Sequence, residues 1–358
     1  MPPAKPRLRL FSSSVIVAFG WAFIYFLKRS TESSCEWLSM MISLGCSDCA
    51  NNDSAHSNAS SAPFQLRMII AGLFSALLIN LLLYYTRPSM INVSGVFNKR
   101  NRVLLRELVV TDFKLRYQGS VLGYLWSILK PLFLFAIMYV VFGMLVKLGS
   151  VEHYSVYLLF GIVLWNFFAE ATGQGLNSIV MRGDVIRKIS FPKYIIVIST
   201  SISALVNLAF NLVIVAILAV VNGVAIHWSA LLTPVFILEI YLFALGIAFF
   251  LSALNVKYRD TGHIWEIIMQ AAFYGTPIIY PLSIVIAKSE AIAKLIMMNP
   301  VAQAIQDARY TLITKETITT SSLVGVKSMA IPLIIVFIVF IGGILYFNKH
   351  SKCFAEKV

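Results

Sequence analysis

The sequence has few charged residues for its length. Only 13% of its 358 residues are Asp, Glu, Lys or Arg, whereas 59% are hydrophobic, and its mean hydropathy is +0.81. A soluble domain carries about 25% charged residues, and a water-soluble core cannot hide this much apolar surface. The composition therefore excludes an ordinary cytosolic enzyme, a disordered chain and a nucleic-acid-binding domain, and it indicates an integral membrane protein.

Cysteines and nucleotide-binding motifs are also scarce. Four cysteines are too few for a disulfide scaffold in a chain this long. Cys46 and Cys49 have the spacing of a redox pair or of half a zinc site, but no second pair accompanies them, so we expect an incidental or structural role and no metal site. The sequence contains no G-x-x-x-x-G-K-[ST] phosphate loop, so the chain is not expected to bind ATP in that way.

Long apolar runs are abundant. A helix needs about 20 mostly apolar residues to cross the bilayer core, and eight stretches qualify or nearly qualify: residues 11–27, 68–85, 131–146, 154–180, 194–221, 228–256, 262–286 and 329–347. The third lengthens if residues 123–129 join it. None shows the period-2 alternation of strands. The sequence predicts an all-α, polytopic membrane protein with a six-helix core in residues 91–358 and a two-helix extension in residues 1–90.

The positive charge is unevenly distributed. The net charge is +13; residues 87–130 carry eight Lys or Arg against two acidic residues, and residues 181–193 carry four against one. Because Lys and Arg concentrate in cytoplasmic loops, all eight segments fit one topology with both termini in the cytoplasm. The first segment is open to two interpretations, a signal peptide or an uncleaved anchor. Lys28 and Arg29, where the small residues of a cleavage site would stand, favour the anchor.

Four clusters near the predicted helix ends are more specific. The first, residues 116–126, passes from Arg116 and Tyr117 through Gly119 and Gly123 to aromatic residues at the start of an apolar segment. Basic residues stay with lipid headgroups, Tyr and Trp prefer the boundary, and glycine allows close helix packing. The same features also suit an ordinary juxtamembrane anchor.

The second cluster, residues 182–193, is a short connection that is predicted to be cytoplasmic. It combines charges with a small apolar face and ends at a proline, which disfavours helix at the preceding residue; its members of interest are Arg182, Asp184, Val185, Ile186, Arg187, Lys188, Phe191 and Pro192. A short helix lying across the membrane face suits contact with a cytoplasmic partner, although a positive-inside loop alone would also explain the composition.

The last two clusters are turns. The third consists of Lys257, Tyr258, Arg259 and Asp260, where a local ion pair is expected. The fourth is a double-proline break, Thr276 to Pro281, near the outer end of the seventh segment, and Asn299-Pro300 follows it.

In this order, the four clusters resemble the permease subunit of type-2 ABC exporters, and more narrowly the branch that exports O-antigen, capsule and teichoic-acid polysaccharides. The resemblance rests on a Gly-Ser-x-Leu-Gly-Tyr-x-Trp motif, a Lys-x-x-Phe-Pro connection, a Lys-Tyr-Arg-Asp turn and the later Asn-Pro, and it covers about residues 98–350. It does not cover residues 1–90, so the N-terminal hairpin is a departure from the family's six-helix pattern.

The resemblance implies a homodimeric permease in the inner membrane of a bacterium, joined to two copies of a separate ATPase that bind the ATP and Mg²⁺. Residues 182–193 would form the coupling helix against that ATPase, and residues 287–328 would form outer gate helices. An interface helix would lie on the cytoplasmic leaflet; the residues assigned to it or next to it are Arg106, Lys114, Arg116, Tyr117, Gly119 and Gly123. The substrate would be a polysaccharide on a polyprenyl-diphosphate carrier, with no nucleic-acid partner and no catalytic residue in this chain.

Aromatic and acidic residues within the apolar segments are candidates for the transport path. Aromatic rings stack on sugar faces, and a charged Glu facing lipid at the midplane would cost about 2–4 kcal/mol. The path candidates are Trp165, Phe167, Phe168, Glu170, Phe273, Tyr274 and Tyr280. Glu239 and Glu266 are each expected to face protein, water or an interface.

Other functions stay open at this point. One is a type-2 exporter of drugs, lipids or other small molecules. A second is a membrane-embedded glycosyltransferase, which would need clustered acidic residues at one membrane face, whereas only Asp184 and Asp260 lie in the short inner loops. A third is a solitary channel or structural protein, which would have no ATPase gene beside it.

Overall fold

The structure is a computed structural model that describes residues 99–117, 123–146, 151–225, 227–325 and 329–357. The first two apolar segments, Cys46, Cys49 and Gly119 lie outside these residues. All regular structure in the described part of the chain is helical, which confirms the all-α prediction.

The helices follow one another along the chain in two groups, one before and one after the turn at residues 258–260. The first group is α1 (Lys99–Tyr117), α2 (Trp126–Met138, continued by a π-helical stretch at Tyr139–Leu145), α3 (Tyr154–Met181), α4 (Gly183–Lys188), α5 (Tyr194–Val221) and α6 (Thr233–Lys257, preceded by a 3-10 turn at Trp228–Leu232). The second is α7 (Thr261–Gly275), α8 (Leu282–Lys288), α9 (Glu290–Met297), α10 (Pro300–Leu312), α11 (Thr320–Leu323), α12 (Ala330–His350, followed by a 3-10 turn at Ser351–Cys353) and α13 (Phe354–Lys357).

Five of the helices in the described ranges are long and apolar enough to cross a membrane: Trp126–Leu145, Tyr154–Met181, Tyr194–Val221, Trp228–Lys257 and Ala330–Cys353. They correspond to the third, fourth, fifth, sixth and eighth predicted segments, and the third is extended as the sequence allowed. Apolar length set these bounds, because a 1.5 Å rise per residue needs about 20 residues to span the core.

The seventh predicted segment, residues 262–286, is not one continuous helix. Helix α7 ends at Gly275 after 15 residues, about 22 Å, and a series of turns and bends from Thr276 to Pro281 precedes the short α8. Pro277 and Pro281 lack an N–H and cannot continue the helix. The sequence located this break, but the expectation of a single span across it was wrong.

The bundle is built around α3 and α6. α3 packs between α5 and α6, and α6 in turn packs against α12, so the four helices lie in the order α5, α3, α6, α12. Most of the apolar stretch of α3 is buried, whereas almost none of α2 is fully buried. Between α6 and α12 the backbones touch at Gly246 and Gly343; a methyl group on Gly246 would come 2.6 Å from Cα of Phe340. Small residues at such crossings permit close packing of membrane helices.

α10 is a buried helix of mixed polarity that packs against α6, α3 and α12. Asn299 begins it by accepting a hydrogen bond from the Val301 N–H at 3.1 Å, and Pro300 occupies its first turn. The sequence predicted short outer helices over residues 287–328. α8, α9, α10 and α11 fall in or across that stretch, and the depth to which α10 is buried was not foreseen.

Gly161 in α3 is where the buried α10 approaches most closely. A methyl group on Gly161 would overlap the guanidinium of Arg309, which is fully buried. We expect Gly161→Ala to cost about 2 kcal/mol through overpacking, despite the better helix propensity of alanine, and to lower the melting temperature of the purified protein.

Gly173→Ala is the matched control, because Gly173 lies in the same helix and a methyl group there meets nothing within 4 Å. It should melt at or slightly above the wild-type temperature. Equal melting temperatures for the two variants would show that Arg309 does not restrict α3.

Candidate functional site

The connection between α3 and α5 contains the short helix that the sequence predicted. α4 spans Gly183–Lys188, and its first turn closes when the Val185 and Ile186 N–H groups donate to the Arg182 carbonyl at 3.1 Å each. Ile186 is buried. The exposed side carries Asp184, Arg187 and Lys188, and Asp184 pairs with Arg187 at 3.0 Å. α4 is therefore anchored by one apolar side chain and displays its charges.

The end of α4 also follows the sequence. Ile189 is extended, Phe191 and Pro192 are half-buried, and α5 starts at Tyr194. The Pro192 carbonyl accepts from the Ile195 N–H at 3.1 Å, which starts the first turn of α5. α4 is thus joined at both ends to long helices.

The C-terminal segment packs against α4, which the sequence did not predict. Phe354 in α13 is 1% exposed, and its ring lies 5.3 Å from that of Phe347. The Lys193 ammonium donates to the Ser351 carbonyl at 2.5 Å and lies 5.9 Å from the Phe354 ring. α13 therefore contacts α4, and a cation–π contact joins it to the start of α5.

Helix α1 covers the residues assigned to the interface helix, and it packs beside α5. Arg106 and Lys114 are exposed on it, and Tyr117 is its last residue. Gly123 has φ +50°, in the left-handed region that favours glycine, just before α2. Asp112 of α1 forms an ion pair with Arg182.

Arg182 is the residue at which α1, α3 and α5 meet. Besides Asp112, it donates from Nη1 to the Ser199 hydroxyl at 2.9 Å. Burial lowers the pKa of Arg182 to about 10, so the side chain is still charged at neutral pH. The sequence placed Arg182 in the coupling connection, but it did not identify these partners.

Glu170 is surrounded by polar side chains from three helices. Asn207 of α5 donates to its two oxygens at 2.8 and 3.0 Å, Gln174 donates at 2.7 Å, and Arg116 of α1 forms an ion pair with it. A Glu in an apolar segment is expected to face protein, water or an interface. Glu170 faces protein, where Arg116 balances its charge.

The aromatic path candidates form a chain of ring contacts. Trp165 lies 5.7 Å from Phe168 and 5.9 Å from Phe273, which lies 5.4 Å from Tyr274. Trp165 and Phe168 are buried in this single chain, Phe167 is buried as well, and Tyr274 is exposed. The Tyr280 hydroxyl donates to the Tyr274 carbonyl at 3.1 Å. That these rings line a path stays a prediction.

The turn between α6 and α7 differs from expectation. Lys257, Tyr258, Arg259 and Asp260 are all exposed. The expected local ion pair is not among those of the described residues; instead, the Lys257 ammonium lies 4.7 Å above the Tyr258 ring. Exposed ion pairs contribute little, so a cation–π contact competes with them effectively. Glu266, further along α7, is exposed.

At the other end of the bundle, Arg309 of α10 binds the double-proline break. Its guanidinium donates to the carbonyls of Pro277 and Ile278 at 2.7 Å each and to that of Tyr157 at 3.1 Å, and it lies 3.6 Å above the Tyr157 ring. The Tyr154 hydroxyl donates to the Ile279 carbonyl at 2.8 Å. Burial lowers the pKa of Arg309, yet arginine stays protonated in proteins.

Glu239 of α6 is buried beside the same helix. It interacts with Gln303 and Asp307 of α10, and Gln303 donates to Asp307 at 2.9 Å. The expectation that Glu239 faces protein is confirmed. The sequence analysis assigned no role to Asp307 or Arg309. The feature that could have identified them is the presence of two charged residues among the apolar side chains of residues 300–312.

Phe354→Ala tests the contact between the C-terminal segment and α4. Removing a buried Phe costs about 3–5 kcal/mol, so the variant should melt several degrees below wild type. Cys353→Ala, at the exposed neighbouring position, is the control and should leave the melting temperature unchanged. A Phe354→Ala variant with the wild-type melting temperature would mean that α13 is not packed there.

The chain is similar to known membrane transport proteins. Residues 103–313 match the ABC-2 type transporter family. The chain is 32% identical over 199 residues to the O-antigen export system permease protein RfbA of Myxococcus xanthus, covering 56% of this chain and 76% of the relative. Two proteins of the same name from Klebsiella pneumoniae are 29% and 27% identical over 254 and 255 residues, each covering 71% of this chain and 94% of the relative. The chain belongs to the ABC-2 type transporter family, in the branch of the O-antigen export system permeases.

Proposed function

We propose that this chain is the channel-forming subunit of an ATP-driven exporter that moves a polyprenyl-diphosphate-linked polysaccharide outward across the cytoplasmic membrane. Two copies of the chain would work with two copies of a separate ATPase, which binds the ATP and Mg²⁺. The names of the relatives support the polysaccharide class of substrate.

The observation that carries the proposal is the geometry of α4. It is a short helix with an exposed charged side, joined without a long loop to α3 and α5. A force applied to Asp184, Arg187 or Lys188 would reach both long helices, because Ile186 anchors α4 and α13 packs against it. This arrangement suits a subunit whose energy source is a cytoplasmic partner.

The path is proposed to open between α3 and α7. Trp165 and Phe168 of α3 are buried in the single chain, and Trp165 reaches the exposed Tyr274 through Phe273. Movement of α3 away from α7 would expose the rings of Trp165 and Phe168, which would then form one surface with the ring of Tyr274. A row of aromatic faces offers a stacking surface for successive sugar rings with little demand for one particular sugar.

A second copy of the chain is proposed to cover exposed apolar surface. On α2, Phe133 and Ile137 are 57% and 60% exposed, and on α7, Ile264 and Ile267 are 58% and 67% exposed. Each helix has few contacts within the chain. In the membrane, the partner copy would shield these faces from lipid.

The double variant Arg187→Glu with Lys188→Glu tests the coupling role. Both side chains are exposed, so the fold should persist while the repelled ATPase no longer drives transport. We expect export to fall at least about tenfold, as for loss of a charged interface contact, with the melting temperature of the permease unchanged. Surface polysaccharide and the ATPase rate of the reconstituted complex would be measured.

Lys288→Glu with Lys315→Glu is the matched control, because it reverses two exposed lysines in the outer segment of the chain. It should export normally. Normal export by the Arg187 and Lys188 variant would remove α4 as the coupling element.

Depletion of the protein from cells tests the substrate. We expect a long polyprenyl-linked polymer to accumulate inside the cell while surface polysaccharide falls, measured on extracted lipid-linked glycans. Loss of surface polysaccharide without an internal polymer would instead favour a synthetic enzyme. No change in either would favour an exporter of drugs or lipids.

A further inference from the structure

Two ion pairs join helix α1 to α3 at two levels. In the first, α1 supplies the acidic residue, and in the second it supplies the basic one. Asp112 pairs with Arg182 at the end of α3, and Arg116, one turn further along α1, pairs with Glu170 inside α3. The two α3 positions are separated by about 18 Å of helix. Two residues on one face of α1 thus contact both ends of the inner part of α3.

Each level also includes α5. At the lower level, Arg182 donates to the Ser199 hydroxyl at 2.9 Å, and at the upper level Asn207 donates to both oxygens of Glu170 at 2.8 and 3.0 Å. α1 itself packs along α5. These contacts form what is called here the two-level tie: Asp112–Arg182–Ser199 below and Arg116–Glu170–Asn207 above.

In each ion pair of the tie both side chains are partly shielded from solvent, whereas every other ion pair of the described residues, His153–Glu152 included, has one side chain that is at least 62% exposed. Its four charged side chains are between 13% and 27% exposed, whereas those of the Asp184–Arg187 and Glu290–Lys294 pairs are between 43% and 82% exposed. Exposed pairs contribute about 0–1 kcal/mol. Removing one member of a less solvated pair has a larger effect, because its partner keeps a charge in a poorly solvated place.

We propose that Asp112, Arg116, Glu170 and Arg182 are positioning residues through which α1 makes α4 and the inner part of α3 move as one unit during transport. The proposal rests on the proposed function, because α4 is taken as the site where the ATPase acts. Arg182 is the residue directly before α4, so displacement of α4 displaces the lower level of the tie.

The contact of Arg116 with Glu170 would transmit the displacement of α4 to the aromatic residues of the candidate path. Glu170 lies in the same helix as Trp165 and Phe168, within about two turns of both. If α1 holds α3 at residues 170 and 182, α3 cannot bend between them, and motion at α4 reaches the aromatic rings without being absorbed. Without the tie, α4 would move while the rings stay in place.

Charge exchange across the lower level tests the proposal. Asp112→Arg and Arg182→Asp would each place two like charges together, and the double variant would restore an opposite pair. We expect each single variant to export roughly tenfold less polysaccharide per ATP hydrolysed, and the double variant to return to within about twofold of wild type. A merely structural role would lower export and ATP hydrolysis together, in proportion to folded protein.

Glu290→Lys with Lys294→Glu, and each single change, form the matched control. This pair has a 2.6 Å contact within α9 and no connection to α1. All three variants should keep the wild-type ratio of export to ATP hydrolysis. A loss equal to that of the Asp112 variants would overturn the specific role of α1.

Asp112→Asn and Glu170→Gln keep the side-chain shape and serve if the reversed charges prevent folding. The melting temperature of the purified permease alone would be measured for Asp112→Asn, Arg182→Gln and the pair. If Asp112 and Arg182 interact, the double variant should melt no lower than the less stable single variant. Additive losses of melting temperature would show that the two residues do not interact. This measurement needs neither ATPase nor glycan.

The outcomes separate this proposal from the proposed function. A wild-type complex that neither exports polysaccharide nor hydrolyses ATP would contradict the proposed function, and the melting temperatures would still decide whether the ion pair exists. A working wild type with unaffected Asp112 and Arg182 variants would overturn the tie. So would single variants that fail and are not rescued by the exchange.

Discussion

A fully buried arginine is the constraint on which the end of the bundle around the double-proline break depends. The proline break after α7 releases backbone carbonyls inside the protein, and an unpaired buried carbonyl costs free energy comparable to a lost hydrogen bond. Arg309 has N–H groups in a planar fork that satisfies three carbonyls at once. Its position fixes α10 against α3, and it requires the absence of a side chain at Gly161.

The end of the bundle around α4 is held by a different chemistry. There, Arg116 and Arg182 pair with carboxylates rather than with backbone carbonyls, and the partners belong to separate helices. A guanidinium on backbone carbonyls cannot leave without exposing several unpaired groups. These ion pairs are made by side chains alone and leave the backbone hydrogen bonds of the helices intact. The double-proline break is therefore held through its backbone carbonyls, whereas α1, α3 and α5 are held to one another through side chains.

Much of the fold follows from apolar length alone. The predicted segments 154–180 and 194–221 correspond to helices Tyr154–Met181 and Tyr194–Val221, because an uninterrupted apolar run has only one way to satisfy its backbone in lipid. The predicted short helix at residues 182–193 was also found. The segment 262–286 was misjudged as one span because mean hydropathy does not register where a proline removes an N–H.

The sequence by itself determined the helical class, the five long spans, the α4 connection and the family, since each depends on residues that are close together in the chain. Only the tertiary structure decided which charges pair. Asp112 with Arg182, Arg116 with Glu170, and Arg309 with the Pro277 carbonyl are separated by 70, 54 and 32 residues. Their pairing depends on which helix faces lie together, and that is fixed by side-chain packing between helices, which no local pattern contains.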